Sequence, residues 1–314
     1  MRSGNCANFP TRTTYDPTVS VSWYREHLAC PDCRRPLPAE AGICACGFTI
    51  DRTGRDFRPQ HPQPRQSTII LGSSVHAELH DVLVERPKVT YTGPRAERDS
   101  SELFSAAGRW LQPGAKLLDL GCGPRDQVAP AAHYGASYVG IDYSSERADL
   151  LADGHAIPFR DGTFDVVLSY AVLEHLYHPF LAVEEVARVL RPGGVFVGTV
   201  SQGEPFHDSY FHHTAFGLLT VLRPASMRAL RLWSSHDTLH ALATMGRYPR
   251  VLRLATEALH RISSHAPFLA PRKYFRWSPR ERAVDELHRA ASVCFVAEKV
   301  QRESSDPVSI STGS

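Results

Sequence analysis

Lys116-Leu117-Leu118-Asp119-Leu120-Gly121-Cys122-Gly123-Pro124-Arg125 is the stretch that decides the fold. Leu117, Leu118 and Leu120 form the short apolar run of a strand buried on both faces of a parallel sheet. Gly121 and Gly123 follow at once. A strand that turns through glycines into a helix brings backbone N–H groups close to a ligand, because glycine has no side chain in the way. A G-x-G turn alone fits any α/β protein, so the sequence on either side has to decide.

Ser137–Ile141 reads as a second strand and ends in Asp142, about 20 residues past the glycines, where a carboxylate accepts hydrogen bonds from a ribose. Asp153-Gly154-His155-Ala156-Ile157-Pro158-Phe159 and Phe164-Asp165-Val166-Val167-Leu168-Ser169 come next. Val172-Leu173-Glu174-His175 and Arg188-Val189-Leu190-Arg191-Pro192-Gly193-Gly194 complete the series. In this order and spacing, Lys116 to Ser201 resembles class I S-adenosylmethionine-dependent methyltransferases of the D-L-G-C-G, D-x-x-x-L-P-F, L-E-H and L-R-P-G-G branch. Ile157 stands where that branch usually has leucine.

The resemblance implies a doubly wound, Rossmann-like α/β sheet of seven strands with S-adenosylmethionine at the carboxyl ends of the strands. It places Asp119, Gly121 and Gly123 against the amino-acid and ribose parts of the cofactor, and Asp142 with its neighbour Tyr143 at the ribose hydroxyls. It puts Asp153, Gly154 and His155 at the adenine edge, and Ser169, Tyr170 and Ala171 under the methionine. Tyr91, in the loop upstream of the first core helix, is a further cofactor contact or a packing residue. Cys122 belongs to the glycine loop, with packing as its side-chain role.

Strands are expected at about 116–120, 137–141, 150–153, 164–169 and 194–201. A final antiparallel hairpin is expected from 226–233 and 293–300. Ser100–Leu111 and the stretch after Pro179 carry apolar residues at helical spacing, Phe216–Leu222 reads as helix, and Ile69–Val84 looks partly helical. The methyltransferase domain then spans 100–302, with a basic helical insertion at 234–290 read as a substrate cap. Residues 1–22 and 303–314 read as tails, and 59–99 as a linker followed by a helical region.

Cys30-Pro31-Asp32-Cys33 and Cys44-Ala45-Cys46-Gly47 bracket a small unit within 23–58. Two cysteine pairs on two turns can converge on a tetrahedral Zn²⁺. Four of the seven cysteines sit here, which is metal spacing rather than a disulfide framework in a chain of 314 residues. The unit resembles the zinc ribbon at the front of some ribosomal-RNA guanine methyltransferases and the small activator subunit of tRNA and protein methyltransferases. C-x-C in place of the second C-x-x-C is a departure. A metal-free unit held by Leu37, Ile43, Phe48 and Ile50 is the alternative. Reduced cysteines and the lack of a signal-peptide pattern or long apolar run suggest a cytoplasmic setting with no membrane span.

The net charge is +2, yet 223–302 holds 15 Lys+Arg against 6 Asp+Glu, a net of +9. Either the face is simply solvated or it draws an anionic substrate. After Ser201, the loop Glu204–Thr214 carries His207, Tyr210, His212 and His213 and leaves a central strand near the methyl donor. One of these histidines, or His175 of L-E-H, is the candidate base, with Tyr210 orienting the acceptor. The leading reading is methyl transfer to a small molecule, a specialised metabolite or an activated sugar or lipid precursor. RNA methylation and an inactive cofactor-binding scaffold are the alternatives.

Overall fold

A computed structural model describes residues 23–37, 42–50, 54–61, 82–88, 95–205, 208–244, 249–265 and 277–300. Tyr91, His207, the two tails and Ile69–Asp81 lie outside the described residues.

Short β-branched and leucine runs build the middle of one mixed sheet. Its strands are β1 (Leu83–Val84), β2 (Lys116–Leu120), β3 (Ser137–Asp142), β4 (Leu150–Leu151), β5 (Phe164–Tyr170), β6 (Leu190–Ser201), β7 (Met227–Ser234) and β8 (Ser292–Lys299). Their order is β1-β7-β8-β6-β5-β2-β3-β4. β8 runs antiparallel to β6 and β7, and the other pairs are parallel. Seven of these strands are the expected set. The eighth, β1, falls in a stretch whose composition reads as helix, but pairing with β7 makes its two residues an edge strand.

Alternation of side chains across the strands divides the core in two. Leu117, Val166, Leu168, Val195 and Val197 pack with Leu103, Phe104 and Ala107 of α1 (Arg95–Ala107) on one face. Leu118, Leu120, Val167 and Phe196 pack with Val183 and Val186 of α3 (Pro179–Val189) and with Leu218 of α4 (Ala215–Leu222) on the other. The short α2 (Val128–His133) follows the glycine turn. Covering both faces is what a parallel sheet requires. α3 starts where Pro179 sits at its first turn and the His178 ring accepts the Leu181 N–H.

The cysteine unit extends this sheet. Phe57 N donates to Leu151 O at 2.7 Å, and Leu151 N to Arg55 O at 2.8 Å, so 55–57 pairs beside β4. Leu28 bridges antiparallel to Phe159, and Ala29 N donates to Pro158 O at 3.0 Å. Phe48 and Phe57 stack at 6.3 Å and join the core that holds Leu118. So small a unit has little core of its own and packs into that of the sheet.

Between β7 and β8 lie α5 (Thr238–Thr244), α6 (Arg250–His265) and α7 (Pro279–His288). A capping box of Ser278 and Glu281 starts α7. Gln202, just past β6, ties its end to the sheet by donating to Leu287 O at 2.7 Å and Ala290 O at 3.0 Å.

Candidate active site

The carboxyl ends of β2, β3 and β5 form a cradle. Gly121 has φ +71°, and a Cβ there would lie 2.5 Å from Val172 Cγ2, so no other residue fits without moving Val172. Gly123 has φ +47° and nothing within 4 Å of where a Cβ would stand. That empty approach beside a bare backbone is what a bound nucleoside needs. Asp142 closes the turn. Its Oδ2 accepts the Gly123 N–H at 3.0 Å, and its Oδ1 accepts those of Ser144 and Ser145 at 2.9 Å each.

Asp119 and Cys122 are both buried. Cys122 is buried against Gly140, leaving room there for no side chain. Asp119 is buried and accepts the Tyr138 hydroxyl at 2.7 Å, and burial pushes its carboxyl up to about 7. A carboxyl raised on folding stabilises most below its unfolded value near 4, and that stability is lost as pH climbs through about 7. Asp119→Asn keeps the shape without the charge. Its melting temperature relative to wild type should therefore rise between pH 5 and pH 8, and an increment independent of pH would refute the buried neutral acid.

At the adenine side the carboxylate of Asp153 is turned inward. Its Oδ1 accepts His155 N at 2.9 Å and lies 2.6 Å from His155 Nδ1. His155 Nε2 in turn accepts the His178 N–H at 3.2 Å. That fixes the neutral tautomer, with the proton on Nδ1, and makes His155 a bolt between this loop and the start of α3. Tyr177 stacks on its ring at 4.3 Å. Gly154 is buried next to Leu120 and Leu176. Tyr143 is exposed, with the Arg58 guanidinium 5.5 Å from its ring centre.

Under the expected methionine position Ser169 is fully buried and its Oγ has no partner. Ala171 takes φ +56° and donates to Thr199 Oγ1 at 3.0 Å. The Tyr170 hydroxyl bonds to Asp99, and burial pushes its ionisation well up.

From Asp99 a polar chain crosses the strand ends. Ser235 Oγ donates to Asp99 Oδ2 at 2.6 Å and lies 2.8 Å from His236 Nδ1. The hydroxyl has one hydrogen, so His236 Nδ1–H must donate to Ser235. His236 Nε2 then faces Glu204 Oε1 at 3.7 Å. On the other side Ser201 Oγ contacts both Glu204 and Glu174, the latter at 2.8 Å. One hydrogen cannot serve two carboxylates, so one carboxyl carries a proton. Burial pushes Glu174 up, and its Oε2 is buried without a partner, so of the two carboxyls Glu174 is the one whose protonated form burial favours. Ser292 Oγ also donates to Glu204. Glu204 is thus the group on which both chains converge.

The described part of the histidine loop is tied back to the strand ends, and His207 lies outside the described residues. Tyr210 N and Phe211 N donate to Glu174 O at 2.7 and 3.2 Å, and His213 N to Ser201 O at 2.7 Å. Tyr210 points outward, 67% exposed, and His212 is exposed. His213 is buried with Nδ1 unpartnered, and burial holds it below the ordinary histidine range. His175 is exposed, its Nδ1 3.3 Å from Asp208 O. The residues missed by sequence reasoning are Glu204, Glu174, Asp99, Ser235 and His236. Glu174 stood in a quoted motif and Glu204 in the quoted loop, but only the packing of α1 on the sheet and the pairing of its strands bring Asp99 and His236 to them.

The four sulfurs of Cys30, Cys33, Cys44 and Cys46 lie within 4.8 Å of one another. Cys30–Cys46 and Cys33–Cys44 are each 3.5 Å apart. Tetrahedral Zn²⁺ with Zn–S near 2.3 Å sets sulfurs about 3.8 Å apart. C-x-C therefore still converges, and the set fits zinc.

Residues 118–198 match the family model described as a methyltransferase domain. An uncharacterised 37.1 kDa protein of the transposon TN4556 of Streptomyces fradiae is 29% identical over 235 residues, 67% of this chain and 61% of its own. An uncharacterised methyltransferase of Mycobacterium sp. (strain JLS) is 35% identical over 108 residues, 31% of this chain and 43% of its own. The chain thus spans less than two thirds of the length of either relative. Phosphoethanolamine N-methyltransferase 2 of Haemonchus contortus, solved with S-adenosyl-L-methionine, is 16% identical and covers 65% of this chain and 53% of its own, with a TM-score of 0.41.

Proposed function

We propose, for a chain whose residues 118–198 match a methyltransferase-domain model, that it is a class I S-adenosylmethionine-dependent methyltransferase that moves a methyl group from S-adenosylmethionine to a small-molecule acceptor. The observation that carries the cofactor is the open cradle at Gly123 beside Asp142. The cofactor supplies an electrophilic methyl on sulfur, and the acceptor's lone pair takes it as the sulfur keeps the bonding electrons. The chain's part is to align the two, shut out water and receive any proton the acceptor sheds. Asp142 and the glycine backbone would hold the ribose side, and Tyr170 with Ser169 the methionine side.

The helices after β7, read as a substrate cap, would favour a discrete acceptor over RNA. The loop following β6 is fastened to that insertion at Leu287, Ala290 and His236, and to the start of β8 at Ser292. Of the groups at the strand ends, Glu204 is the best placed to accept a proton. It is little exposed and backed by His236 on one side and the Glu174–Ser201 pair on the other. His212 and His213 remain alternative acceptors of that proton, and His207 the candidate outside the described residues. Cys30, Cys33, Cys44 and Cys46 would hold a structural zinc.

Cell extract incubated with the chain and methyl-labelled S-adenosylmethionine should take up label in its small-molecule fraction. Label confined to RNA would overturn the acceptor class, and no label in any fraction would overturn the activity. Glu204→Gln should cut the rate of labelling about 10²-fold or more, the scale of general acid–base catalysis, with S-adenosylhomocysteine affinity unchanged. A wild-type rate in that variant would return the role to the histidines.

A further inference from the structure

Helix α6 is built inside out. At 100° per residue Val251, Leu252, Leu254, Ala255, Ala258 and Leu259 fall within about 160° of arc, and Arg253 and Glu257 on the opposite side. A helix on a monomer in water turns the first face inward and the second outward. Here the polar side meets the neighbouring helix. Arg253 Nε donates to Ala243 O at 2.8 Å, and Glu257 Oε2 pairs with His240 Nδ1 of α5 at 3.6 Å. The apolar side faces out. Val251 is 80% exposed, Leu254 62%, Leu259 51% and Leu252 46%, and Ala255 and Ala258 are exposed as well.

Four large aliphatic side chains on one open face mark a docking surface. Its charge says what docks. In sequence, residues 238–276 hold seven arginines and lysines against one acid, Glu257, a net of +6. No described helix is long and apolar enough to cross a membrane. A basic helix with one aliphatic face and no spanning length is the pattern that lies in the plane of a lipid–water interface. Anionic headgroups would meet the net positive charge of this segment, and the leucines would enter the acyl boundary.

We infer that α6 seats the protein on an anionic membrane surface, with Val251, Leu252, Leu254 and Leu259 as the inserted face. The inference rests on α6 and its charge and holds whatever acceptor the strand-end site takes.

The test uses the full chain and two vesicle preparations, phosphatidylcholine alone and phosphatidylcholine mixed with phosphatidylglycerol. Sedimentation should carry the wild type down with the mixed vesicles, with far less on phosphatidylcholine alone, and added salt should release part of it. Leu254→Asp/Leu259→Asp should lower the partition coefficient about a hundredfold or more, since each leucine loses the full transfer from water. Unchanged S-adenosylhomocysteine affinity in that variant shows that its fold is intact. Equal sedimentation of wild type and variant, or no sedimentation of the wild type, overturns the inference. So does light scattering that shows a wild-type dimer becoming a monomer in the variant, because the face would then belong to a second copy.

Discussion

Asp142→Ala should weaken S-adenosylmethionine binding by about 1–3 kcal/mol, the cost of taking a charged acceptor from buried ribose hydroxyls. The carboxylate has a second task that raises the expectation toward the upper end. It holds the N–H groups of Gly123, Ser144 and Ser145 at about one end of the cradle, so alanine frees the glycine turn as well. Asp142→Asn keeps one carbonyl oxygen for those donors and should fall between alanine and wild type. Titration calorimetry with S-adenosylhomocysteine, whose nucleoside is the same, separates the three. Equal affinity across the series would remove Asp142 from the site.

The second large effect is expected from the metal. Purified without chelator, the chain should carry about one Zn²⁺, and Cys30→Ser/Cys33→Ser should lose it. The loss should reach the cofactor, because the zinc unit supports the adenine-side loop at two places. Ala29 N bonds Pro158 O directly. Arg34, next to Cys33, contacts Glu185 Oε1 at 2.5 Å, and Glu185 Oε2 accepts the Ile157 N–H at 3.0 Å. Arg188 completes the clamp by donating to Ile157 O at 2.7 Å and Phe159 O at 2.6 Å. Without zinc, affinity for S-adenosylhomocysteine should fall roughly tenfold, the equivalent of about one lost hydrogen-bonded support. Arg34→Ala should keep zinc and show part of that fall. Elemental analysis finding no metal in the wild type, or zinc loss with cofactor affinity intact, would sink the coupling.

Arg34 also shows why a buried ion pair here is not an ornament on the surface. Glu185 is buried between Arg34 and Arg188. Removing either arginine leaves its charge with one partner in a low-dielectric place, which costs more than an exposed pair is worth.

The sequence by itself determined the sheet and the cradle. Leu117 to Leu120, Val166 to Leu168 and Val195 to Val197 are runs that only a two-faced parallel sheet can bury, and Gly121 and Gly123 stand where the chain must turn without side chains. Their meaning is local, a matter of period and of φ, so it is legible before folding. The ends of elements were less so: β6 begins at Leu190 rather than 194, and α1 at Arg95 rather than 100, since strand pairing and packing override propensity at boundaries. Tertiary structure alone decided three things. Burial, which no periodicity reports, turned His213 inward and set Tyr210 out in solvent. Pairing of β6, β7 and β8 brought Glu204, Ser201, Ser235, His236 and Ser292 together across 92 positions of sequence, and only their distances reveal which hydroxyl has one proton for two acids. The orientation of α6 was the third. Its sequence fixes an amphipathic helix, but which side meets α5 is settled by Arg253 and Glu257 finding partners there, and so the leucines face out.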